Sequence, residues 1–370
     1  MGQSDYIKTI TVPEFQLWKT AEKAGTLLSL SLELTARCNN NCIHCYINLS
    51  ENDEKAKNCE LSLQQIKKLI DEAESLGTLW VLLSGGEPLL REDFFDIYLY
   101  IKKKGMLVSV FTNATLINET HIQFFKKYPP RALEITIYGI SERIHKKITR
   151  NALFRKTMQA IDSLKAQAIP ITLKTVIMKS NLKEFERIYR YCEKTSDKPI
   201  RFDPFLNLRY DRNPEKNKQI LSERLTPDEI IAIEAFDQKR MSAIESQCVS
   251  MNVSDLPSEN KSRLLRCSAG VNSCCISYDG IFKLCNALNH NDYIYDLKNG
   301  SLVDAWKKFP KIWREKTASN PEYIKKCANC TIYNLCMACP ANSDLETGVP
   351  DAFVNYFCDV ANKRYNNSKK

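Results

Sequence analysis

From Leu28 onward, short apolar runs alternate with stretches whose apolar residues recur at helical spacing. Leu28 to Thr35, Leu79 to Leu83, Leu107 to Phe111, Leu133 to Ile137, Ile171 to Met178 and a run near Ile200 to Phe205 read as strands. Runs such as Leu79 to Leu83 are continuously apolar, as parallel strands covered on both faces are. Between them, Leu63, Ile66, Ile70 and Ala73 follow a capping box at Ser62 to Gln65 and stop at Gly77. Further helices are expected over 93–104, 119–126, 155–168 and 182–194. Six strand-then-helix repeats imply parallel pairing through right-handed crossovers. Six units are too few to close an eight-stranded barrel, so the fold class expected is α/β, an open, partial (β/α)6 TIM-like barrel over residues 28–206.

Outside that span the pattern changes. Residues 1–27 form a lead-in with a short amphipathic piece around Phe15 to Ala24. Residues 207–262 are polar and read as a helical bridge, with a helix opened by the capping box Thr226-Pro227-Asp228-Glu229. Residues 263–370 are a small cysteine-rich domain, where Ile276-Ser277-Tyr278 and Ile281-Phe282 flank Asp279-Gly280, a β-hairpin signal. The start, Met1 to Tyr6, has no secretory or myristoylation pattern, and no apolar run reaches the length of a membrane span. A cytoplasmic protein without membrane partners is expected, and its fifteen cysteines then point to ligation, not disulfides. The net charge of +9 comes partly from Lys102 to Lys104, Arg143 to Lys156 and the Lys369-Lys370 tail. Such runs attract acidic peptides or nucleic acid but are more often solvated faces, so no nucleic-acid partner is inferred.

Chemistry concentrates in the loops that follow the strands. Cys38, Cys42 and Cys45 fall in the spacing C-x3-C-x2-C. A cubane iron–sulfur cluster has four irons, so three local thiolates leave one iron open to another ligand. The alternatives are a structural zinc site, which prefers C-x2-C pairs, or plain buried thiols. Ser84-Gly85-Gly86-Glu87-Pro88, Thr112-Asn113 and Tyr138-Gly139 each follow a different expected strand. In parallel α/β barrels such loops converge on one mouth.

The cysteine spacing, with His44 directly before Cys45, resembles the signature of the radical S-adenosylmethionine (SAM) superfamily. The resemblance implies that Cys38, Cys42 and Cys45 hold a [4Fe–4S] cluster whose open iron chelates SAM, which is cleaved to a 5'-deoxyadenosyl radical. It also implies that Gly85, Gly86, Glu87 and Pro88 bind the SAM amino group, with His44 in the same site. Asn113, Thr136 and Arg150 are candidate SAM contacts, each equally readable as an ordinary loop, strand or surface residue; Lys174 has the same standing. No catalytic residue is assigned.

The C-terminal half resembles the SPASM domain, the auxiliary-cluster extension of certain radical SAM enzymes. Cys267, Gly280 and Cys285 fit its first part, and Cys327, Cys330, Cys336 and Cys358 fit the rest, while Cys339 comes one residue early. By analogy Cys267, Cys285, Cys339 and one of Cys274 or Cys275 hold a nearer auxiliary [4Fe–4S] cluster, and Cys327, Cys330, Cys336 and Cys358 a farther one. The alternative for Cys327 to Cys339 is a zinc knuckle. Cys59, Cys192 and Cys248 fall outside every pattern and read as packing residues.

Three clusters and SAM imply oxidative modification of an unactivated C–H position. Enzymes of this architecture mostly crosslink or oxidise peptides and proteins. Sulfatase-maturing relatives place an Asp general base after the hairpin cysteine, and here Asn286 cannot take a proton. That favours thioether or carbon–carbon crosslinking over side-chain oxidation. The stretch before the barrel is too short for a leader-binding domain, so a separate leader-binding protein is expected, along with a flavodoxin- or ferredoxin-type electron donor. Small-molecule chemistry on a sugar, haem precursor or cofactor, and a non-enzymatic zinc protein, are the alternatives.

Overall fold

The computed structural model describes residues 16–250 and 262–369. The lead-in before Gln16 and the end of the bridge therefore lie outside the described residues, as does the side chain of Cys248. The six expected strands form as β1 (Ser29–Thr35), β4 (Trp80–Gly85), β5 (Leu107–Thr112), β6 (Ala132–Thr136), β7 (Ile171–Val176) and β8 (Arg201–Asp203). They pair in parallel in that order, which makes the open (β/α)6 barrel. A two-residue pair, β2 (Arg37–Cys38) with β3 (Leu49–Ser50), brackets the cysteine loop.

The crossover helices are α3 (Leu63–Ser75), α4 (Phe94–Lys103), α5 (Glu119–Lys127), α7 (Phe154–Ala166) and α8 (Phe185–Thr195). The Ser62 capping box forms as the sequence predicts, its hydroxyl accepting from the Gln65 amide while the Gln65 side chain accepts from the Ser62 amide. Leu30, Leu32, Leu83, Val108, Val110, Leu133 and Leu173 are fully buried and fill the sheet's inner layers against Ile70, Ile97, Ile101 and Ile161 of the helices. Two short helices escape the periodicity reading, α2 (Glu54–Cys59) and α6 (Glu142–Thr149). Each spans about two turns, too short for a 3.6-residue repeat to stand out. The bridge folds as α9 (Pro214–Glu223), α10 (Pro227–Phe236) and α11 (Gln238–Ser250).

The hairpin forms from β9 (Ser273–Ile276) and β10 (Ile281–Lys283), with β11 (Ile294–Asp296) on its far edge. It does not stand apart: β9 pairs in parallel with β1, Leu30 opposite Cys274 and Ser31 opposite Cys275. The result is one sheet of nine strands, β11-β10-β9-β1-β4-β5-β6-β7-β8. Behind it, α12 (Leu302–Arg314) places Leu302, Ala305, Trp306 and Trp313 in the same core as the barrel, and the Trp306 indole donates to the Gly25 carbonyl at 2.7 Å. The chain closes with α13 (Pro321–Tyr323), α14 (Pro340–Thr347) and α15 (Asn355–Asn367). On α15, Arg364 forms a buried ion pair with Glu234 of α10, which also takes Arg240 of α11. Among the described residues no helix is long and apolar enough to cross a membrane.

Because β9 covers the edge of β1, the barrel half is not self-sufficient. A chain cut after Leu206 exposes the Ser29 to Leu32 edge and the apolar face under α12, and is expected to aggregate. The full chain is expected to unfold in urea in one transition through that shared core. A soluble, monomeric 1–206 fragment on size-exclusion chromatography contradicts this.

Candidate active site

The cysteine loop leaves β1 through Ala36 and Arg37 and is braced from every side. Asn39 is the hub: its amide donates to Thr115 Oγ1 at 2.8 Å, its side-chain oxygen accepts from Asn113 at 2.8 Å, and its carbonyl accepts from Asn151 at 2.7 Å. The Asn41 and Ile43 amides donate to the Thr149 and Ile148 carbonyls at the end of α6. Arg209 is fully buried and donates to the Cys45 carbonyl at 3.1 Å and the Asn48 side chain at 2.9 Å. Asp211 pairs with it at 2.6 Å. None of Asn39, Asn48, Asn151 and Arg209 stood out in the sequence, although the run Asn39-Asn40-Asn41 among cysteines was a signal for side-chain bracing of backbone.

Cys38, Cys42 and Cys45 line one cavity of about 670 Å³, together with His44, Gly85, Gly86, Asn113, Thr136, Tyr138 and Lys174. Their electrostatics are informative. Burial pushes the Cys38 thiol up to about 12, with the nearby Glu87 and Cys45 adding to it. Burial also raises Cys42 well above the usual thiol range, and Cys45 and Cys38 raise it further, while a hydrogen bond from Tyr138 works the other way. Three thiols whose ionisation burial opposes become thiolates together only around a concentrated positive charge, which a metal centre provides. Amide hydrogen bonds already reach two of the sulfurs, from Asn40 to Cys38 and from Asn48 to Cys45, each at 3.4 Å. The donor set fits an iron–sulfur cluster.

The two glycines that line the cavity also make room for backbone. A Cβ on Gly85 would meet the Thr35 carbonyl at 2.2 Å, and one on Gly86 the Arg37 carbonyl at 2.2 Å. They let β4's exit lie directly against β1's exit, locked by Gly86 and Glu87 amides donating to Thr35 and Arg37 carbonyls. Gly85 also sits at φ 119°, where other residues are strained. Glu87 is fully buried beneath this loop and does not line the cavity: its carboxylate accepts from Thr112 Oγ1 and the Asn113 amide at 2.8 Å and from the Leu89 amide at 3.2 Å. Burial lifts it to about 7 against those three donors. Pro88 is buried beside it as the first residue of a 3-10 turn.

The other candidates separate. His44 is buried, held neutral by burial at about 4, and rests edge-on against Tyr138 with ring centres 4.9 Å apart. Asn113 reaches Cys38 Sγ at 3.8 Å. Thr136 and Lys174 face the cavity from neighbouring strands in register. Lys174 lies 2.9 Å from the Phe111 ring centre, and burial drops its ammonium to about 7 although Glu134 at 3.7 Å opposes this. Arg150 is exposed at the left-handed end of α6 and does not line the cavity.

In the C-terminal half, Cys327, Cys330, Cys336 and Cys358 line a second cavity of about 360 Å³. Cys339 is pushed up to about 12 by burial, with Cys285 and Cys267 near enough to add to it. Cys274 and Cys275 are adjacent on β9 and so face opposite ways: Cys274 joins the hydrophobic core, while Cys275 lies beside Glu33 and Lys283. Cys59 is exposed on α2 and Cys192 is buried in α8. Among the described residues no three His, Cys, Asp or Glu side chains converge closely enough for a single metal ion. Both cavities suit a group larger than an ion.

A sequence model described as the radical SAM superfamily matches residues 32–192. An AdoMet-dependent heme synthase of Oleidesulfovibrio alaskensis is 23% identical over 339 residues, covering 86% of this chain and 84% of that one. A PqqA peptide cyclase of Bradyrhizobium diazoefficiens is 29% identical over 171 residues, 46% of this chain and 44% of that one. In fold, the chain resembles Streptococcus suis SuiB bound to precursor peptide SuiA, with a TM-score of 0.67 at 13% identity over 95% of this chain and 82% of that chain.

The bracing of the loop yields a direct expectation. Arg209→Met removes the donors to Cys45 and Asn48 and leaves their oxygens buried without partners, a cost of about 1–3 kcal/mol each. The variant should fold, by circular dichroism, but take up less iron on anaerobic reconstitution. Unchanged iron uptake removes Arg209 from the site.

Proposed function

Since this chain is a radical SAM enzyme with a C-terminal SPASM-type extension, we propose that it oxidatively modifies a C–H position of a peptide or protein, by crosslinking in preference to side-chain oxidation. The fold binds SAM and a [4Fe–4S] cluster, which together supply a 5'-deoxyadenosyl radical able to take hydrogen from an unactivated C–H bond. Cys38, Cys42 and Cys45 hold that cluster. Cys327, Cys330, Cys336 and Cys358, and Cys267, Cys285 and Cys339 with a further ligand, hold two more. The enzyme works in the cytoplasm with a separate one-electron donor.

The observation that carries the substrate reading is the size and lining of the cavity. Its volume of about 670 Å³ is shared among the barrel, Asn207 and Arg240 of the bridge, and Asn286 and Met337 of the extension. Pockets of roughly 300–1,000 Å³ hold one drug-sized molecule, and SAM is that molecule. The remaining space takes an inserted side chain more readily than a second large ligand. The fold likeness to a precursor-peptide complex and the sequence likeness to a peptide cyclase support the same reading. A second reading, haem-precursor chemistry, is supported by the likeness to an AdoMet-dependent heme synthase over most of both chains.

Within the site, the chain's residues bind, orient and exclude water. Tyr138 covers Cys42, Asn113 lies against Cys38, and neutral His44 gives the wall an uncharged ring. Of the cations that line the cavity, Lys174, Arg201 and Arg240, Lys174 is the one assigned to meet the SAM carboxylate, a role for which Arg150 is too far out on the surface. The ammonium is charged below about 7 and lost above it. SAM affinity should therefore fall as pH rises through that value, and Lys174→Met should weaken it about tenfold at pH 6, the scale of one charge-assisted hydrogen bond. Arg150→Ala should leave it unchanged; a loss in Arg150→Ala alone reverses the assignment.

The function itself is tested on anaerobically reconstituted enzyme, which should be brown and carry roughly twelve irons in three four-iron clusters. With dithionite and SAM it should release 5'-deoxyadenosine. A short peptide encoded beside this chain's gene should stimulate that release and emerge lighter by two hydrogens. Stimulation by an iron coproporphyrin in place of the peptide selects the haem reading, and a colourless zinc protein without 5'-deoxyadenosine rejects both.

A further inference from the structure

The sequence carries a basic run from Arg143 to Lys156 that the active site does not use, and the fold places it beside the cysteine loop. Arg143, Lys146, Lys147, Arg150, Arg155 and Lys156 are all exposed. The stretch itself holds no Asp or Glu, and Glu142, just before it, pairs with Arg155. Among the described residues the side chains of Arg143, Lys146, Lys147 and Arg150 form no ion pair. Lysines in the last turn complement the helix dipole, which accounts for Lys146 and Lys147 but not for Arg143, Arg155 and Lys156.

Hydrogen bonds aim this face at the electron's destination. The Ile148 and Thr149 carbonyls of α6 accept from the Ile43 and Asn41 amides at 3.0 and 2.9 Å, and Asn151 donates to the Asn39 carbonyl at 2.7 Å. The basic helix is thus bonded directly to the loop between Cys38 and Cys45. A second basic cluster, Lys102 and Lys103, sits at the end of α4, where the chain enters β5. That is the opposite end of the barrel from the cysteine loop.

We propose that the Arg143 to Lys156 face is the docking surface for an acidic one-electron carrier protein. The inference rests on the radical SAM reading. Opposite charge speeds encounter and fixes orientation, and the hydrogen-bonded α6–loop seam joins that surface directly to the loop that carries the thiols. The carrier loses one electron and the iron–sulfur cluster on Cys38, Cys42 and Cys45 gains one; no proton or group moves. A nucleic acid is the competing occupant of a basic face.

The test uses the reconstituted enzyme and a flavodoxin as probe. The charge-reversed variant Arg143→Glu/Lys146→Glu/Lys147→Glu is compared with Lys102→Glu/Lys103→Glu. Flavodoxin affinity is measured by titration across ionic strength, and 5'-deoxyadenosine release is driven either by flavodoxin hydroquinone or by dithionite. In the α6 variant, affinity and flavodoxin-driven release should each fall about tenfold or more, and their salt dependence should flatten. Its iron content and dithionite-driven release should match the parent, and the α4 variant should match the parent throughout. Equal flavodoxin response in all three proteins overturns the proposal, as does an equal loss in the α4 variant. Duplex RNA binding that the α6 reversal abolishes, in a parent that does not bind flavodoxin, overturns it in favour of nucleic acid. Failure of the parent with dithionite instead means that the radical SAM reading itself is wrong, and the inference falls with it.

Discussion

Three thiols buried within one loop set the terms for the rest of the molecule. Cys38, Cys42 and Cys45 each sit where burial makes ionisation costly; Cys45 adds to that cost at Cys38, and Cys45 and Cys38 add to it at Cys42. Held apart by an unbraced loop they would relax away from one another. The protein prevents that with neutral donors and one buried guanidinium, from Asn39, Asn113, Asn151 and Arg209, drawn from strand exits and from the bridge. The loop is rigid in advance, so the energy of binding a metal centre is not spent on ordering it.

The same logic explains why barrel and extension share a sheet. Were the hairpin a separate module, the second cysteine field could move relative to the first. With β9 bonded along β1 and α12 packed behind, the strand leading into the cysteine loop is also the strand that registers the hairpin. Asn286 and Met337 are thereby placed in the wall of the barrel cavity. A fixed distance between the two halves suits chemistry in which an electron must pass between them.

Local signals in the sequence were sufficient for the six barrel strands, the capped helix after Ser62 and the Asp279-Gly280 hairpin, because each depends on residues within a few positions of one another. The parallel pairing of β9 with β1 was not legible: the partners are more than 240 residues apart in sequence, and Ser273 to Ile276 carries nothing that names Ser29 to Leu32. That Gly85 and Gly86 make room for the backbone leaving β1 was likewise not legible, since Thr35 and Arg37 lie some fifty residues away in sequence. Arg150 and Lys174 had equal standing in the sequence; only burial, which is a tertiary property, separates a surface cap from a cavity cation.

A metal group on Cys38, Cys42 and Cys45 that binds SAM must keep one coordination position free for it. The most direct measurement is the electron paramagnetic resonance spectrum of the reduced enzyme, in a variant with Cys327, Cys330, Cys336 and Cys358 replaced to simplify the signal, recorded with and without SAM labelled at its amino nitrogen and carboxylate oxygen. A free position filled by SAM gives a shifted signal carrying hyperfine coupling to both labels. An identical spectrum with and without SAM contradicts it.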